Sequence, residues 1–578
     1  MRKTRFAFLQ KMTALLCLSA LLMTCLPALA TDLASAPLSS VSAAKNGMVR
    51  VYLSSLGSPT RLSLTTAGSY SINGNVNQAL SSGETVSVSI NTSTGNLSLT
   101  RGGSTLSMGQ SFALRRHSTA GANGITIAQA RRPANPYPGD ISFTAVRQSS
   151  GSYKLYTIAH IYIENYLYGV LPYEMGNSAN IEALKSQAVS ARTYTLRMMN
   201  ARVSGRYDVV DTTSDQVYNG TPTGNDNCVK AVDSTKGIVL MNGSSLTSTY
   251  YSASNGGQTE SAQHVWGGSG YGYLALKDDT FDYNNPDSRV VSKTVYADAT
   301  SASQNASLMN LLKSKAVSAL KSAGYAATTA NTALQTVTAV VPHTPKYDSP
   351  SKLYTKMDFT LAARTVSASG GTVTATVTVT CGIFTELESL LGMSIQSSQN
   401  ELWSVKKSGG NFILQARRYG HGVGLSQRGA MYMGKLGYTY DQILAFYYTG
   451  CKRVRYAFSH TILSAVSSGS STTETTVEEA AELEENADGA ATAVVKLVSS
   501  GDVLAIRGSK SQSGTMVGTV PNSAPVKVLA SDGTWAFIQY GGLKGYVPVN
   551  ALVISGTPPA ETTEAPTVIT GYATVKAN

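Results

Sequence analysis

Charged residues are scarce in this sequence. They make up 14% of its 578 residues, whereas apolar residues make up 42% and glycine occupies 52 positions. A coiled coil needs abundant Ala, Glu, Lys and Leu, and collagen needs Gly at every third position, so the composition excludes both classes. The apolar fraction is large enough to fill cores, which argues against global disorder. At roughly 100–200 residues per domain, the length predicts several domains.

Cysteine is also rare, with five residues, of which Cys17 and Cys25 lie in the N-terminal segment. The other three, Cys228, Cys381 and Cys451, allow at most one disulfide. The favoured alternative is that they are small buried side chains. The sequence has no CxxC, no HExxH and no tight His/Cys cluster. We therefore predict no metal site and no cofactor.

The first thirty residues have the pattern of a signal peptide. A basic start is followed by an apolar run at 12–26 and then by Ala28-Leu29-Ala30, the small-x-small pattern of a signal peptidase site. The apolar run is shorter than the roughly 20 residues that a spanning helix needs, so an uncleaved anchor is the less favoured alternative. No second apolar stretch is long enough to cross a bilayer. We predict that residues 1–30 are cleaved and that the mature protein is exported.

Shifts in composition divide the mature chain. We predict a strand-rich N-terminal region at 31–139, a large body at 140–458, an acidic linker at 459–491, a small domain at 492–555 and a disordered tail at 556–578. Within the linker, residues 464–490 carry seven acidic residues and no basic one, a pattern typical of a self-repelling, solvated chain. The formal net charge is +12, and its excess lies in the large body. That charge suits an anionic polymer such as cell-wall glycan, with an ordinary solvated surface as the alternative.

Period-two alternation of apolar and polar residues predicts strands before and within the large body. The predicted strands lie at 49–53, 61–64, 85–90, 141–146 and 155–163.

The small domain at 492–555 has five short strand-like runs separated by turn dipeptides such as Asp532-Gly533 and Gly541-Gly542. Five such strands close best as a small barrel. The segments LAIRGSKSQSGTMVGTV and DGTWAFIQYGGLKGYVPVNAL resemble the bacterial SH3 domain family, and they depart from it at 509–511, where the family often has a Gly-Pro turn. The resemblance implies a wall-binding module without chemistry. The alternative is a barrel that only caps the chain.

The first segment with chemical character is IENYLYGVLPYEMGNSANIEALKSQAVSARTYTL, residues 163–196. Pro172 and Gly176 bracket Glu174, which predicts a loop between two elements. Because Tyr173 and Met175 flank it, the Glu174 carboxyl would lose solvation and gain a raised pKa, as a general acid requires. A surface glutamate is the alternative.

A helix is predicted after this loop. Asn180 can cap it, and Glu182 lies in its first turn, where an acid interacts favourably with the helix dipole. Residues at helical spacing form a predicted buried stripe, namely Ile181, Leu184, Ala188 and Ala191.

Three later segments contain further candidate residues. Tyr218 lies in DTTSDQVYNG, and Asn255 lies in TYYSASNGGQTESAQHVWGG, whose glycines let the backbone approach a ligand and whose Trp266 could stack on a sugar ring. His421 lies between glycines in GHGVGLSQRGAMYMGKLGYTYDQILAFYYTG, where Thr439 forms a predicted capping box with Gln442. The alternatives are an ordinary hairpin turn for the glycines, a core position for Trp266 and a structural role for the histidine.

Together these segments resemble the SpoIID/LytB family over about residues 140–455, with the motifs in the family's order. The resemblance implies an α+β fold: a multi-domain SpoIID-like body with a strand-rich N-terminal region, plus the small all-β barrel. It also implies a bacterial, wall-associated lytic transglycosylase that cuts peptidoglycan glycan strands in sporulation or wall remodelling. Glu174 of the P-x-E-M motif carries over as the catalytic residue. Arg192 of A-R-T-Y carries over as a substrate or carboxylate partner, and Tyr218, Asn255 and His421 are candidates for substrate contacts.

Other readings of the resemblance stay open. Some family members bind zinc through a His and two Cys after the catalytic motif, but residues 200–227 contain neither type, so we predict no zinc. Some relatives are amidase enhancers, which would make a cell-wall amidase the partner. A purely structural wall-binding protein is the third reading. The expected partners are peptidoglycan strands, and no nucleic acid is expected.

Overall fold

The computed structural model describes residues 47–119, 123–456, 458–466, 474–478 and 491–496, and most of 503–555. The predicted signal peptide and the predicted tail lie outside the described residues. Contacts divide the chain into two compact units, each of which is described by itself. Of the described residues, the first unit contains those within 47–178, 187–248 and 451–555, and the second contains Ala179–Ser186 and Thr249–Gly450. The mixture of helices and strands confirms the α+β class.

Two sheets form the strand-rich part of the first unit. Every second side chain is buried in Arg61–Ala67 and Thr85–Ile90, because successive side chains of a strand point to opposite faces. The seven-stranded sheet contains, in spatial order, Val209–Val210, Met48–Tyr52, Tyr153–Tyr162, Asp140–Arg147, Ser111–Arg116, Tyr70–Ile72 and Asn75–Leu80. The five-stranded sheet contains Ser104–Ser107, Leu97–Arg101, Thr85–Ile90, Arg61–Ala67 and Gly124–Ile127. All five strands predicted from period-two alternation are present.

Three helices follow these strands, α1 (Ile163–Glu174), α2 (Ile181–Ala201) and α3 (Asp226–Ser234). The side chain of Asn180 accepts a hydrogen bond of 2.9 Å from the amide of Glu182, as a helix cap does. Leu184, Ala188 and Ala191 are buried as predicted. Ile181 is 37% exposed, so its place in the stripe was wrong. A small sheet in the first unit contains Ser245–Leu246, Ile238–Asn242 and Lys452–Arg455.

The second unit contains the helices α4 (Ala262–Trp266), α5 (Thr280–Asn284), α6 (Ala306–Ser322), α7 (Glu388–Leu391), α8 (Gln427–Lys435) and α9 (Tyr440–Tyr447). A π-helical turn at Ile383–Leu387 precedes α7. The capping box of Thr439 and Gln442 is present at the start of α9, as predicted.

Three sheets complete the second unit. The first pairs Ala333–Pro345, Tyr354–Val366 and Thr372–Gly382, the second pairs Val290–Val295, Asn411–Arg417 and Leu402–Ser408, and the third pairs Tyr251–Ser252 with Leu425–Ser426. One core joins α6 to the first two sheets, with Leu312, Phe359 and Trp403 all buried in it.

The C-terminal sheet has seven strands where the sequence predicted five. In spatial order they are Met516–Pro521, Val503–Arg507, Leu543–Pro548, Trp535–Tyr540, Pro525–Ser531, Ala491–Val495 and Leu552–Ser555. The two missed strands are Met516–Pro521, whose apolar run Gly518 interrupts, and Leu552–Ser555, which follows a 3-10 turn at Val549–Ala551. Ile506, Ile538 and Val547 are buried in the hydrophobic core of this region.

The segment predicted as a solvated linker is in part folded. Ser459–Leu463 pairs antiparallel with Glu474–Glu478. The carbonyl of Leu463 accepts a hydrogen bond of 2.8 Å from the amide of Ser118, and His117 bonds the carbonyl of Ser464 at 2.7 Å. The acidic composition of the segment did not predict this hairpin. The hairpin is held by backbone pairing and by the burial of Leu463, neither of which depends on the acidic side chains. No helix of the described residues is long and apolar enough to span a membrane.

Candidate functional site

Glu174 is the last residue of α1, which corrects the predicted loop around it. Pro172 lies inside this helix, where its ring nitrogen cannot donate to the carbonyl of Tyr168, four residues earlier. The side-chain amide of Asn225 donates to that carbonyl instead, at 2.8 Å. The helix therefore continues through Pro172 because a side chain distant in sequence replaces the missing amide.

The Glu174 side chain is half-buried and faces the segment 211–220. The backbone amide of Val217 lies 3.4 Å from its Oε1, a long hydrogen bond. The hydroxyl of the preceding Tyr173 accepts from Asn135 at 2.7 Å, and Asn135 also donates to the carbonyl of Asn219 at 2.9 Å. These contacts fix the end of α1 against the segment 211–220.

Two carboxylates hold the segment 211–220 in place. Asp211 accepts from the amide and the hydroxyl of Ser55, at 2.9 and 2.5 Å. Burial raises the pKa of Asp211, and the hydrogen bonds from Ser55 oppose that rise. Asp215 accepts from the hydroxyl of Tyr194 at 2.7 Å and forms an ion pair with Arg202 at 3.0 Å. The segment that approaches Glu174 is thus anchored by side chains of the chain itself.

Tyr218 is fully buried, with ring centroids 5.0 Å from Tyr166 and 5.7 Å from Tyr137. Gly169 of α1 makes room for it, because a Cβ at that position would overlap the Tyr218 ring and lie 2.8 Å from the carbonyl of Gly220. Burial raises the pKa of the Tyr218 hydroxyl. In this arrangement Tyr218 packs the segment 211–220 against α1, and its contact with a substrate stays a prediction.

Arg192 is also fully buried, and its carboxylate partner is Glu164, not Glu174. Its guanidinium donates to both oxygens of Glu164 and to the carbonyls of Val232 and Ile238. The amide of Gly237 donates to Glu164 at 3.0 Å. Of the two roles expected for Arg192, this geometry favours the carboxylate partner.

Asn255 lies in the second unit and is buried. Its side chain donates to Asp279 at 2.7 Å and accepts from the amide of Gly257 at 2.9 Å, while its backbone amide donates to Asp282 at 2.5 Å. Burial raises the pKa of Asp279. A Cβ at Gly256 would lie 2.7 Å from the Arg418 amide, so this glycine allows close approach of the protein's own backbone. Contact of Asn255 with a substrate stays a prediction.

His421 lies in the glycine loop of the second unit with two aromatic neighbours. The amide of Val423 donates to its Nδ1 at 3.0 Å, and burial, with a smaller contribution from the Arg418 guanidinium, lowers the pKa of His421 to about 4. The imidazole is therefore neutral at pH 7 with its proton on Nε2. Its ring centroid lies 5.0 Å from that of Trp266, which is 41% exposed and contacts Tyr250 in a tilted arrangement at 4.6 Å. The exposure of the indole leaves its stacking on a sugar ring a prediction.

The predicted residues fall into two groups. Glu174, Arg192 and Tyr218 lie in the first unit, and Asn255 and His421 lie in the second. Sequence reasoning missed the buried acids that organise each group, namely Glu164, Asp279 and Asp282. The sequence did contain one signal for Glu164, which is an acid on the otherwise apolar face of α1. A buried carboxylate requires a partner, so this position indicated a buried ion pair.

The described part of the chain shows no cluster of side chains suited to binding a metal ion. Its residues contain no group of three or more His, Cys, Asp or Glu side chains that could hold an ion. Cys228, Cys381 and Cys451 are free thiols, so the one disulfide that their number allowed is not formed. Burial raises the pKa of Cys228 to about 11 and that of Cys381 to about 12.

The fold and this site define a multi-domain α+β protein with a half-buried motif glutamate and a C-terminal all-β region. Residues 152–242 match the SpoIID family, described as stage II sporulation protein, and residues 502–553 match the bacterial SH3 domain. The chain therefore carries a SpoIID-family domain and a bacterial SH3 domain, which confirms both resemblances.

Several curated proteins are similar to the chain. An amidase enhancer of Bacillus subtilis (strain 168) is 31% identical over 314 residues, 50% of this chain and 40% of that protein. An uncharacterized protein of Brachyspira hyodysenteriae is 42% identical over 106 residues, 18% of this chain and 29% of that protein. Stage II sporulation protein D of Bacillus subtilis (strain 168) is 26% identical over 349 residues, 57% of this chain and 86% of that protein. The chain thus spans less than half of the first two relatives.

Proposed function

We propose that this protein is exported to the cell wall and cleaves peptidoglycan by lytic transglycosylation, between N-acetylmuramic acid and N-acetylglucosamine. The observation that carries the proposal is the position of Glu174. Glu174 is the acid of the P-x-E-M motif and the last residue of α1. Its side chain is half-buried and faces the anchored segment 211–220. The similarity to a protein named stage II sporulation protein D supports a role in sporulation or wall remodelling.

The chemistry needs only one carboxyl group. Protonated Glu174 donates to the glycosidic oxygen as an oxocarbenium-like centre develops. The same carboxylate then takes the proton of the muramic acid C6 hydroxyl, which closes a 1,6-anhydro ring. No water attacks, so the second carboxylate of ordinary glycosidases is not required.

The second candidate is an enhancer of a cell-wall amidase. The observation that favours it is the 31% identity to a protein named amidase enhancer. In that case the SpoIID-family domain would bind glycan and an amidase without cleaving the strand. In both cases we expect the bacterial SH3 domain to hold the protein on the wall.

Mass spectrometry of purified glycan strands treated with the protein tests the proposal. Fragments with 1,6-anhydro ends are expected from the enzyme. If no fragments form, while an added amidase releases stem peptides faster in the presence of the protein, the enhancer is the correct function.

A further inference from the structure

A groove of about 650 Å³ lies in the first unit, at the loop that follows α2. Its volume is within the range of about 300–1,000 Å³ that is typical of small-ligand sites. Val146 and Tyr156 line it from the seven-stranded sheet, and Arg206, Tyr207 and Asp215 line it from the segment after α2. None of the candidate residues above lines this groove.

Stacked tyrosines form one side of the groove. The Tyr52 ring lies between Tyr156, at a centroid distance of 4.4 Å, and Tyr207, at 5.0 Å, with interplanar angles of 15° and 28°. All three rings are partly exposed. The partly exposed stack gives this side of the groove an apolar, aromatic surface, and pockets commonly combine such a surface with a few polar groups.

The loop that carries Tyr207 is fixed in place. Arg50 forms an ion pair with the buried Asp208 at 2.7 Å and donates to the carbonyls of Arg202 and Gly205, at 2.8 and 2.5 Å. A ligand that binds here therefore does not have to order the loop, which removes part of the entropic cost of binding.

The groove has an excess of positive charge. Arg202 is paired with Asp215 at 3.0 Å. Arg206 is exposed, and so is Lys154, which lies opposite Val146 on the neighbouring strand. Neither of these two cations forms an ion pair with another residue of the part of the chain that the structure describes. An exposed guanidinium without an ion-pair partner among the described residues, such as that of Arg206, is suited to bidentate binding of a carboxylate.

We propose that this groove binds a pyranose unit that carries a carboxylate, with the apolar side of the sugar along the tyrosine stack and the carboxylate on Arg206. The proposal deepens the proposed function and rests on its glycan substrate, because a glycan strand with free lactyl groups supplies such units.

Ligand-observed NMR titration of the full chain tests this. The probes are the N-acetylglucosaminyl-N-acetylmuramic acid disaccharide, with its lactyl carboxylate free, and the neutral diacetylchitobiose. We expect the acidic disaccharide to bind more tightly than chitobiose, and Arg206→Ala to raise its Kd by at least about tenfold. Arg147→Ala is the control, because Arg147 is exposed on the same strand as Val146 but points to the opposite face. It should leave the Kd unchanged.

Arg206 is exposed, so we expect Arg206→Ala to fold, and Arg206→Lys should recover part of the affinity. Equal Kd values for the two sugars, an unchanged Kd in Arg206→Ala, or tighter binding of glycerol phosphate than of the acidic disaccharide would each overturn the proposal. If anhydro products form but Arg206→Ala binds normally, the groove assignment fails and the enzyme stands. If binding behaves as expected but no anhydro products form, the enzyme fails and the groove stands.

Discussion

The guanidinium of Arg192 donates to both oxygens of Glu164, at 2.6–3.1 Å, and neither side chain is exposed to solvent. This ion pair joins α1, which carries Glu174, to α2. Arg192→Met should lower the free energy of unfolding by about 3–5 kcal/mol, because it leaves the Glu164 carboxylate buried without its partner. Urea unfolding measures this. The double variant Glu164→Leu with Arg192→Met should recover much of the loss. A stable Arg192→Met with a raised KM would instead make Arg192 a substrate contact.

Glu174→Gln should reduce turnover by at least about 100-fold while the protein stays folded and binds glycan. The amide keeps the shape of the side chain and one acceptor oxygen, but it cannot donate or accept the catalytic proton. Rates of anhydro-product formation measure the effect. Turnover equal to that of the unaltered protein would remove Glu174 from the chemistry and assign the catalytic proton to another group.

The control for that variant has to be chosen from the structure. Glu182 is the nearest acid in α2, but its Oε2 accepts from the amide of Tyr440 at 2.8 Å and its Oε1 pairs with Lys185 at 2.7 Å. Changing it would disturb the start of α9. Asp226→Asn is a better control, because Asp226 is exposed and lies in the same unit as Glu174. Its turnover should be unchanged.

Ala188→Leu should lower the free energy of unfolding by about 1–3 kcal/mol, because Ala188 is fully buried in the stripe of α2 and the added atoms overpack it. Thermal unfolding measures the loss. Ile181→Ala is the control, since Ile181 is 37% exposed, and it should cost less than Ala188→Leu. Equal stability of Ala188→Leu and the unaltered protein would contradict the tight packing of this stripe.

Stability should rise with pH between about 4 and 6.5 through His421. Its pKa is lowered from 6.5 to about 4 in the folded state, so the unfolded chain binds more protons in that window and the stabilisation is lost as pH falls. Burial beside Glu401 raises the pKa of Glu388 to about 7, which acts in the opposite direction. The measurement is therefore the difference in unfolding free energy between His421→Gln and the unaltered protein across this window. His343→Gln is the control, because His343 is half-exposed. A difference in unfolding free energy for His421→Gln that does not change with pH across this window would contradict the assignment.

Deleting residues 479–578 should leave cleavage of soluble glycan intact and weaken retention on whole walls, because this truncation removes the bacterial SH3 domain. The cut preserves the hairpin formed by Ser459–Leu463 and Glu474–Glu478, which contacts His117 and Ser118. Sedimentation with purified walls and a soluble-strand assay measure the two effects. Loss of activity on soluble strands would mean that the C-terminal region is part of the active enzyme.

Much of the local structure could be predicted from the sequence. Alternating residues identified the strands at Arg61–Ala67 and Thr85–Ile90, and side-chain caps identified the starts of α2 and α9. Such signals work because side-chain direction and helix capping depend on residues within a few positions of each other. The motif that contains Glu174 is also local, so the candidate acid was found without the structure.

The sequence by itself determined these elements and the candidate acid, and the tertiary structure decided what surrounds them. The loop predicted at Pro172 became helix because Asn225, distant in sequence, supplies the missing donor. The burial of Arg192 was not predicted because its partner Glu164 lies 28 positions away in another helix. Local patterns report on neighbours along the chain, whereas burial and hydrogen-bond partners depend on which segments the fold brings together.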